Sequence, residues 1–224
     1  MPLTISAIQQ LVNGHIQDDA TKLASGEIVT AIEEAIAGRY SKDRPRQVVV
    51  DLAGNGITFE WTLTSISGWY EGFSQMRAIE YPRGESTPAF LDSGEWTIYD
   101  SPSGRSLRFP SPLTNGEYAR VAFTAPHAVD ASTVPVSDLY AVGALSAALA
   151  ARRLAAAYAQ TGDSSIVADS VNYRSKSSEY LALARQLEQD YENYLGTDPN
   201  RLAPSASSTS TWIGDTAGGG RLTH

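Results

Sequence analysis

The sequence predicts an α+β protein, in which a helical bundle carries an inserted small antiparallel β domain and an extended C-terminal tail. Apolar residues recur at helical spacing over the first forty residues, and again in two long stretches after Pro126. Between them, from Arg46, the period changes to two and Gly, Pro, Asn and Ser become frequent. We therefore expect the bundle to comprise 1–45 and 126–196, the β domain 46–125 and the tail 197–224.

Two short amphipathic patterns predict a helical hairpin at the start of the bundle. Their apolar positions are Ile5, Ile8, Leu11 and Val12 in the first, and Ile28, Ile32, Ala35 and Ile36 in the second. Ser25 has the hydroxyl that a helix N-cap needs, and Gly38 lies near the expected end of the second helix. We expect Ser25 to cap that helix.

The β domain is predicted to contain five or six short strands. Residues 47–52 and 57–63 flank the sequence Ala-Gly-Asn-Gly, and Asn-Gly favours the turn of a β-hairpin. Further strands are expected at 76–81, 95–99, 107–109 and 118–123, with a turn at 101–104. No helix long enough for a parallel crossover lies between them, so we expect antiparallel pairing. The aromatic residues concentrated in this segment predict a small aromatic core.

The C-terminal half is predicted to form two long helices. Pro135 suits the first turn of the earlier helix, and Gly162 is expected to end it. Its many alanines, with Gly143 and Ser146, allow another helix to approach closely. The later helix is expected to run from about Val171 to a C-terminal cap at Gly196.

The stretch 139–159 has about the length of a membrane span, which needs roughly 20 apolar residues. Arg152 and Arg153 interrupt it, and alanine contributes little transfer free energy. We interpret it as a packed helix of a soluble protein and expect no membrane partner.

The composition argues against catalysis. The chain has no cysteine and only three histidines, at positions 15, 127 and 224, which do not have the spacing of metal ligands. No set of residues supplies a nucleophile, a base and a group to orient them, and no Gly-rich phosphate loop is present. We therefore predict a protein that is not an enzyme, with no catalytic residues, no metal site and no cofactor.

The net charge of -8 gives the chain as a whole no electrostatic reason to hold nucleic acid. The basic residues cluster once, between the second helix and the first strand, at Arg39, Lys42, Arg44 and Arg46. This cluster is either an ordinary surface loop or a contact to a partner or a DNA backbone. Beyond Gly196, the Pro-, Ser-, Thr- and Gly-rich tail has too little apolar content to fold without a partner.

Several segments resemble the head-to-tail adaptor (connector) proteins of tailed bacteriophages. They are the run Leu-Ala-Ala-Ala-Tyr-Ala-Gln-Thr-Gly-Asp at 154–163, Ala-Asp at 168–169, Tyr-Arg-Ser-Lys at 173–176 and Tyr-Glu-Asn-Tyr-Leu-Gly at 191–196. The initial helical hairpin fits the same family. The resemblance is strongest over 1–40 and 126–196, whereas the β segment departs from the smallest, all-helical members and looks like an insertion.

The resemblance implies a structural virion protein in the neck, assembled in the host cytoplasm. Its copies would form a ring, a dodecamer, beneath the portal protein and above a downstream tail or neck protein. DNA would pass through the lumen during ejection without sequence-specific binding. By this hypothesis, the ring-packing residues are Leu145, Leu149, Leu154, Tyr158, Leu181 and Leu187. The portal-binding residues are Arg201, Leu202, Trp212, Ile213 and Arg221.

Two other functions remain open at this stage. A tail terminator or tail-completion protein would also be small, free of cysteine and ring-forming. A carbohydrate- or peptide-binding module would instead use the aromatic residues of the β domain, with the helices as a dimerising stalk.

Overall fold

The computed structural model describes residues 2–17, 22–102, 104–160 and 173–196. The chain divides into two compact units. Of the described residues, the helical unit contains 2–48, 68–75 and 124–196, and the β unit contains 49–67 and 76–123. The predicted fold class is confirmed, because helices and two small antiparallel sheets are both present.

The helices of the helical unit are α1 (Ile5–Ile16), α2 (Ser25–Ala35), the single-turn α3 (Ser41–Asp43), α4 (Leu139–Gln160) and α5 (Tyr173–Leu195). A π-helical turn, Ile36–Tyr40, joins α2 to α3, and a 3₁₀ turn, Val136–Asp138, leads into α4. The predicted hairpin of α1 and α2 is confirmed, as are the two long C-terminal helices. The predicted boundaries at Gly162 and Val171 lie outside the described residues.

Helix α4 packs against α1, α2 and α5. Its small residues permit this: a Cβ atom added to Gly143 would lie 3.0 Å from Cδ1 of Leu11 on α1. The predicted close approach of another helix is therefore confirmed. The shared core combines aliphatic residues of α1 and α2 with alanines and leucines of α4 and with Leu187 and Tyr191 of α5.

The stretch Val136–Ala159 is long and apolar enough to cross a membrane by length and hydropathy alone. Its most apolar window is 67% buried inside the structure. Burial of this extent is what a core helix shows, because its apolar side chains are already covered by α1, α2 and α5.

Helix α2 begins differently from the prediction. The N-cap is Ala24, whose backbone N–H donates to the Glu27 carboxylate at 2.8 Å, and Ser25 is already helical. The Ser25 hydroxyl accepts a hydrogen bond from the Gln9 side chain at 2.9 Å instead. The predicted Ser25 cap is wrong, because the helix begins one residue earlier than expected. Ala24 is the N-cap, and its free backbone N–H is bonded by the Glu27 carboxylate in the first turn.

The described residues form six strands in two three-stranded sheets, and these strands lie mostly in the β unit. The strands are β1 (Arg46–Ala53), β2 (Glu60–Thr62), β3 (Met76–Glu80), β4 (Thr97–Ser101), β5 (Gly104–Arg108) and β6 (Tyr118–Ala125). The first sheet has the order β1-β6-β3 and the second the order β2-β5-β4. The predicted strands and their antiparallel pairing are confirmed.

The predicted hairpin between 47–52 and 57–63 is wrong, because β1 and β2 belong to different sheets. The Asn55 side-chain oxygen accepts hydrogen bonds from the N–H groups of Ile57 and Thr58, at 2.9 and 2.7 Å. These N–H groups are therefore bonded within the turn. Gly54 donates its N–H to the Glu117 carbonyl at 2.8 Å. The chain after β1 therefore pairs with residues near the start of β6 rather than with β2.

The core of the β unit is mainly aliphatic rather than aromatic. Phe109 and Phe123 are its buried aromatic residues among those described, and the other buried apolar side chains are Leu52, Leu63, Ile66, Ile79, Leu107, Leu113, Ala119 and Val121. Phe59, Phe90, Tyr99 and Tyr118 are exposed. The predicted aromatic core is therefore wrong for most of these rings.

Gly54 provides a test of the pairing that replaces the hairpin. A Cβ atom at this position would overlap the backbone carbonyl oxygen of Thr114, which cannot move without breaking the local pairing. We expect Gly54→Ala to lower the free energy of unfolding by about 2 kcal/mol, measured by urea denaturation. Gly94→Ala is the control, because its Cβ would meet no atom within 4 Å. Equal stability of the two variants would contradict the pairing.

Candidate assembly surface

A buried carboxylate connects the start of α4 to the π-helical turn. Asp138 is 4% exposed and accepts hydrogen bonds from the Tyr40 hydroxyl at 2.7 Å and from the Ser137 hydroxyl at 2.9 Å. The Arg44 guanidinium donates to both of its carboxylate oxygens at 3.0 Å. Because a buried carboxylate is stable only when it is hydrogen-bonded, these three side chains hold Asp138 in place at the start of α4.

A second group of contacts holds the end of α5. The Tyr191 hydroxyl donates to Asp43 at 2.8 Å, and the Arg39 guanidinium lies 5.0 Å from the centre of the Tyr191 ring. Arg39 also pairs with Glu192 at 2.6 Å and with Asp43 at 3.3 Å. We call the two groups together the junction network: Arg39, Tyr40, Asp43, Arg44, Asp138, Tyr191 and Glu192.

His127 supports the junction network from the loop before α4. It is 6% exposed, and its ring lies against Tyr40 with the centroids 5.0 Å apart. Its Nε2 atom lies 2.9 Å from the Arg44 carbonyl oxygen, and its backbone N–H donates to the Ser41 hydroxyl at 2.9 Å. The histidine is thus a structural contact between α3 and the loop. No group of three His, Cys, Asp or Glu suited to a metal ion occurs within the described ranges.

Most of the basic cluster between the second helix and the first strand forms contacts within the protein. Arg39 and Arg44 belong to the junction network, and the Arg46 side chain donates to the Pro126 carbonyl at 3.0 Å. Lys42 is exposed. Three of the four cations therefore bind acceptors within the same chain. The cluster is thus not a set of unpaired cations open to a partner.

Two tyrosines form an exposed aromatic pair at the same end of the helical unit. Tyr140, in the first turn of α4, stacks on Tyr194, in the last turn of α5, with the ring centroids 6.0 Å apart. The two residues are 57% and 61% exposed, and Val136, one turn before Tyr140, is 56% exposed. We call these three residues the tyrosine patch. An apolar surface that is already ordered is suited to contact a protein partner.

The predicted ring-packing residues have different environments. Leu145, Leu154, Tyr158 and Leu187 are buried inside the helical unit, and Leu149 is partly buried against the same core. Leu181 is 43% exposed. The role of all six in ring packing stays a prediction, and Leu181 is the one of the six whose side chain a neighbouring copy could reach. The five portal-binding residues lie outside the described residues.

Sequence reasoning missed the junction network. Tyr40 and Asp138 are 98 residues apart, and neither belongs to a motif. The available signal was the acidic Asp138 close after Pro135, but an acid in a first helical turn is ordinary. The tyrosine patch was missed as well, because helical spacing places Tyr140 next to the core stripe without showing that it is exposed.

No protein-family model matches the chain. No curated protein sequence matches it either. Among solved structures, a chain from the neck of an empty gene transfer agent (GTA) particle is 14% identical, with a TM-score of 0.30, and the match covers 80% of this chain and 93% of that one.

Two further matches are a chain of the virion of a native GTA particle and a chain of the neck of a native GTA particle. The first is 14% identical with a TM-score of 0.29, covering 80% of this chain and 92% of that chain. The second is 16% identical with a TM-score of 0.28, covering 80% and 94%. Superpositions at such scores do not show a shared fold, so a role must be argued from this chain's own residues.

Asp138 allows a direct test of the junction network. Asp138→Asn removes the charge that Arg44 neutralises and replaces one acceptor oxygen with an NH₂ group, although three side chains donate to this site. We expect the free energy of unfolding to fall by about 2 kcal/mol, measured by urea denaturation. The control is Glu34→Gln, whose carboxylate pairs with Arg153 but is 58% exposed. That variant should change stability by less than about 0.5 kcal/mol; equal losses would contradict the structural role of Asp138.

The two buried tyrosines of the junction network make stability depend on alkaline pH. Burial, reinforced by hydrogen bonds to Asp138 and Asp43, raises the pKa values of Tyr40 and Tyr191 above the ordinary value of 10.0. In the unfolded chain both hydroxyls ionise near their ordinary pKa, whereas the folded chain retains both protons. Their contribution is therefore complete below that pKa and is lost as the pH rises above it.

We expect the urea midpoint to fall as the pH rises beyond about 10. The fall should be shallower in the double variant Tyr40→Phe, Tyr191→Phe, which has no hydroxyl to ionise at either position. Tyr70→Phe, at a tyrosine that is 51% exposed, should keep the wild-type slope. Identical slopes in the double variant and the wild type would contradict this origin of the pH dependence.

Proposed function

We propose that this chain is a structural protein of a virion neck, a head-to-tail adaptor that forms a ring between the portal protein and a downstream tail or neck protein. The ring would contain twelve copies, be assembled in the host cytoplasm and let DNA pass through its lumen during ejection. The tyrosine patch is the observation that carries an assembly role, because it is apolar, ordered and exposed.

The residues that resemble the adaptor family support the proposal by their positions. Those that the structure describes lie on α4 and α5, apart from Gly196, which directly follows α5. Tyr158 stacks on Tyr180 with the centroids 5.5 Å apart and the planes at 6°, and the Lys176 ammonium lies 5.5 Å from the same Tyr158 ring. Tyr191 anchors α5 to the junction network. These residues thus fix the pair of long helices, while Tyr194 remains available to a neighbour.

The electrostatics are compatible with a conduit for DNA. The net charge is -8, and three of the four clustered cations are engaged within the protomer. A lumen without dense positive charge would not retain a passing duplex. We therefore propose no sequence-specific contact with DNA.

In this proposal, the tail attaches the ring to the portal through Arg201, Leu202, Trp212, Ile213 and Arg221. Aromatic and arginine side chains are the residue types that contribute most to protein interfaces. The neighbouring copies of the ring would meet at the tyrosine patch and at Leu181. A tail terminator would bind the tail tube rather than the portal, so the identity of the partner separates the two functions.

The proposal is tested by the mass of the protein in solution, alone and mixed with a candidate portal protein, measured by light scattering after size exclusion. We expect a ring on the portal with the wild-type chain. A chain ending at Gly196 should lose portal attachment and keep its helical circular dichroism. Unchanged attachment of the shortened chain would contradict the role of the tail.

Ring formation is tested separately with the double variant Tyr140→Ser, Tyr194→Ser. We expect it to remain folded and to bind the portal without completing a ring, because the apolar contact between copies is lost. Tyr70→Ser is the matched control, since Tyr70 is an exposed tyrosine of the same unit. A complete ring formed by the double variant would exclude the tyrosine patch as the contact between copies.

A further inference from the structure

The β unit contains an aromatic groove beside the edge of its second sheet. Its volume is about 260 Å³, and it is lined by side chains of β4 and β5 and of the adjoining loops. The lining residues used below are Trp96, Thr97, Tyr99, Arg108, Phe109 and Pro110. Tyr99 is 44% exposed, so its ring is open to solvent in the described structure.

Arg108 is held in place in this groove by aromatic rings. Its guanidinium carbon lies 5.3 Å from the centre of the Tyr99 ring and 5.2 Å from that of Phe59. Such cation–π contacts orient the planar guanidinium, and its N–H groups donate no hydrogen bond to any side chain or carbonyl that the structure describes. Arg108 is thus an ordered cation whose N–H groups can donate hydrogen bonds to a bound carboxylate.

No carboxylate of the described residues forms an ion pair with Arg108. Its register partner on β2, Glu60, accepts a hydrogen bond from the Ser106 hydroxyl at 2.5 Å. Glu95, at the rim of the groove, accepts the Asp92 N–H at 2.8 Å. These two carboxylates accept hydrogen bonds from other groups, so the described residues leave the positive charge of Arg108 without an ion-pair partner in the groove.

The strand beside the groove can also accept a further strand. Among the described strands the order of the second sheet is β2-β5-β4, so β4 is an edge strand and its outer backbone N–H and C=O groups pair with none of them. An extended peptide that pairs with β4 would place side chains on the rings of the groove. A suitable occupant therefore combines strand-forming residues, an aromatic side chain and a carboxylate.

We propose that the occupant is a segment of this chain's own C-terminal tail, residues 207–215. The sequence there is Ser-Ser-Thr-Ser-Thr-Trp-Ile-Gly-Asp. Thr, Trp and Ile favour strands, no proline interrupts them, and Asp215 is the one charged residue of the segment. Trp212 binds the aromatic groove, and the Asp215 carboxylate pairs with the planar guanidinium of Arg108.

This docking site is independent of the proposed neck function, since both partners belong to one chain. Trp212 is also a proposed portal anchor, so under the proposed neck function the portal would displace the segment from the groove. Residues 197–206 connect the end of α5 to the segment and span up to about 33 Å when extended.

The absence of cysteine from the chain makes a disulfide-trapping experiment possible on the full-length protein. Thr97, an exposed residue of β4 and the register partner of Arg108, is changed to Cys together with Gly214→Cys. We expect an intramolecular disulfide on mild oxidation, seen as loss of free thiol and a monomeric band on a non-reducing gel. The control pair is Ser132→Cys with Gly214→Cys, at an exposed position of the helical unit, which should form it much more slowly.

The charge pairing is tested in the same trapped variant. Arg108→Gln or Asp215→Asn should slow disulfide formation about tenfold, as expected for loss of one charge-assisted contact. Exchanging the charges, with Arg108→Asp and Asp215→Arg together, should restore part of the rate. Arg77→Gln, at an exposed arginine of β3, is the matched control and should have no effect.

Three results would overturn the proposal. They are a rate equal to that of the Ser132 control, a rate unaffected by either charge change, and a disulfide-linked dimer as the main product. The last would identify a second copy, rather than the same chain, as the source of the segment. None of these results depends on the portal, so a failure here is distinct from a failure of the neck function.

Discussion

The helical unit depends on the buried carboxylate of Asp138. Folding removes this charge from water, and the cost is met only if Tyr40 and Arg44 both reach it. Both residues lie just after α2, nearly a hundred positions earlier in the chain. The requirement therefore fixes the end of the N-terminal hairpin against the start of α4, and the alanine-rich packing of α4 against α1 and α2 follows from that position.

Apolar spacing was enough to predict the helices, because each depends mainly on its own amphipathic pattern. The alternation of apolar residues was also enough to predict where the strands lie, but not which strands pair with each other. The Asn-Gly turn after β1 has the residues of a hairpin. The Asn55 side chain instead accepts the N–H groups of Ile57 and Thr58, and the chain continues into a different sheet. Pairing between distant strands depends on three-dimensional contacts that a local pattern does not contain.

The candidate surfaces show the same limit of sequence reasoning. A leucine at helical spacing can face its own core or a neighbouring copy, and spacing alone does not distinguish them. Leu154 and Leu187 face the core, whereas Leu181 is exposed. Tyr99 was among the aromatic residues predicted to form a core, but its ring instead lies beside the Arg108 guanidinium in an open groove, as does the ring of Phe59. The exposure of these rings depends on the packing of the folded chain, which the spacing of aromatic residues in the sequence does not show.

The π-helical turn Ile36–Tyr40 determines the angular position of the residues that follow it. Ser41 stabilises the turn, since its N–H and its hydroxyl both donate to the Ile36 carbonyl oxygen, the latter at 2.6 Å. A π turn holds one residue more than the α-helical turn it replaces, and one residue corresponds to a rotation of about 100° around the helix axis. The extra residue thus rotates the following residues around the helix axis, so that Asp43 faces α5 and Arg44 faces the start of α4. Related chains with a shorter turn would need a different set of side chains to join their two halves.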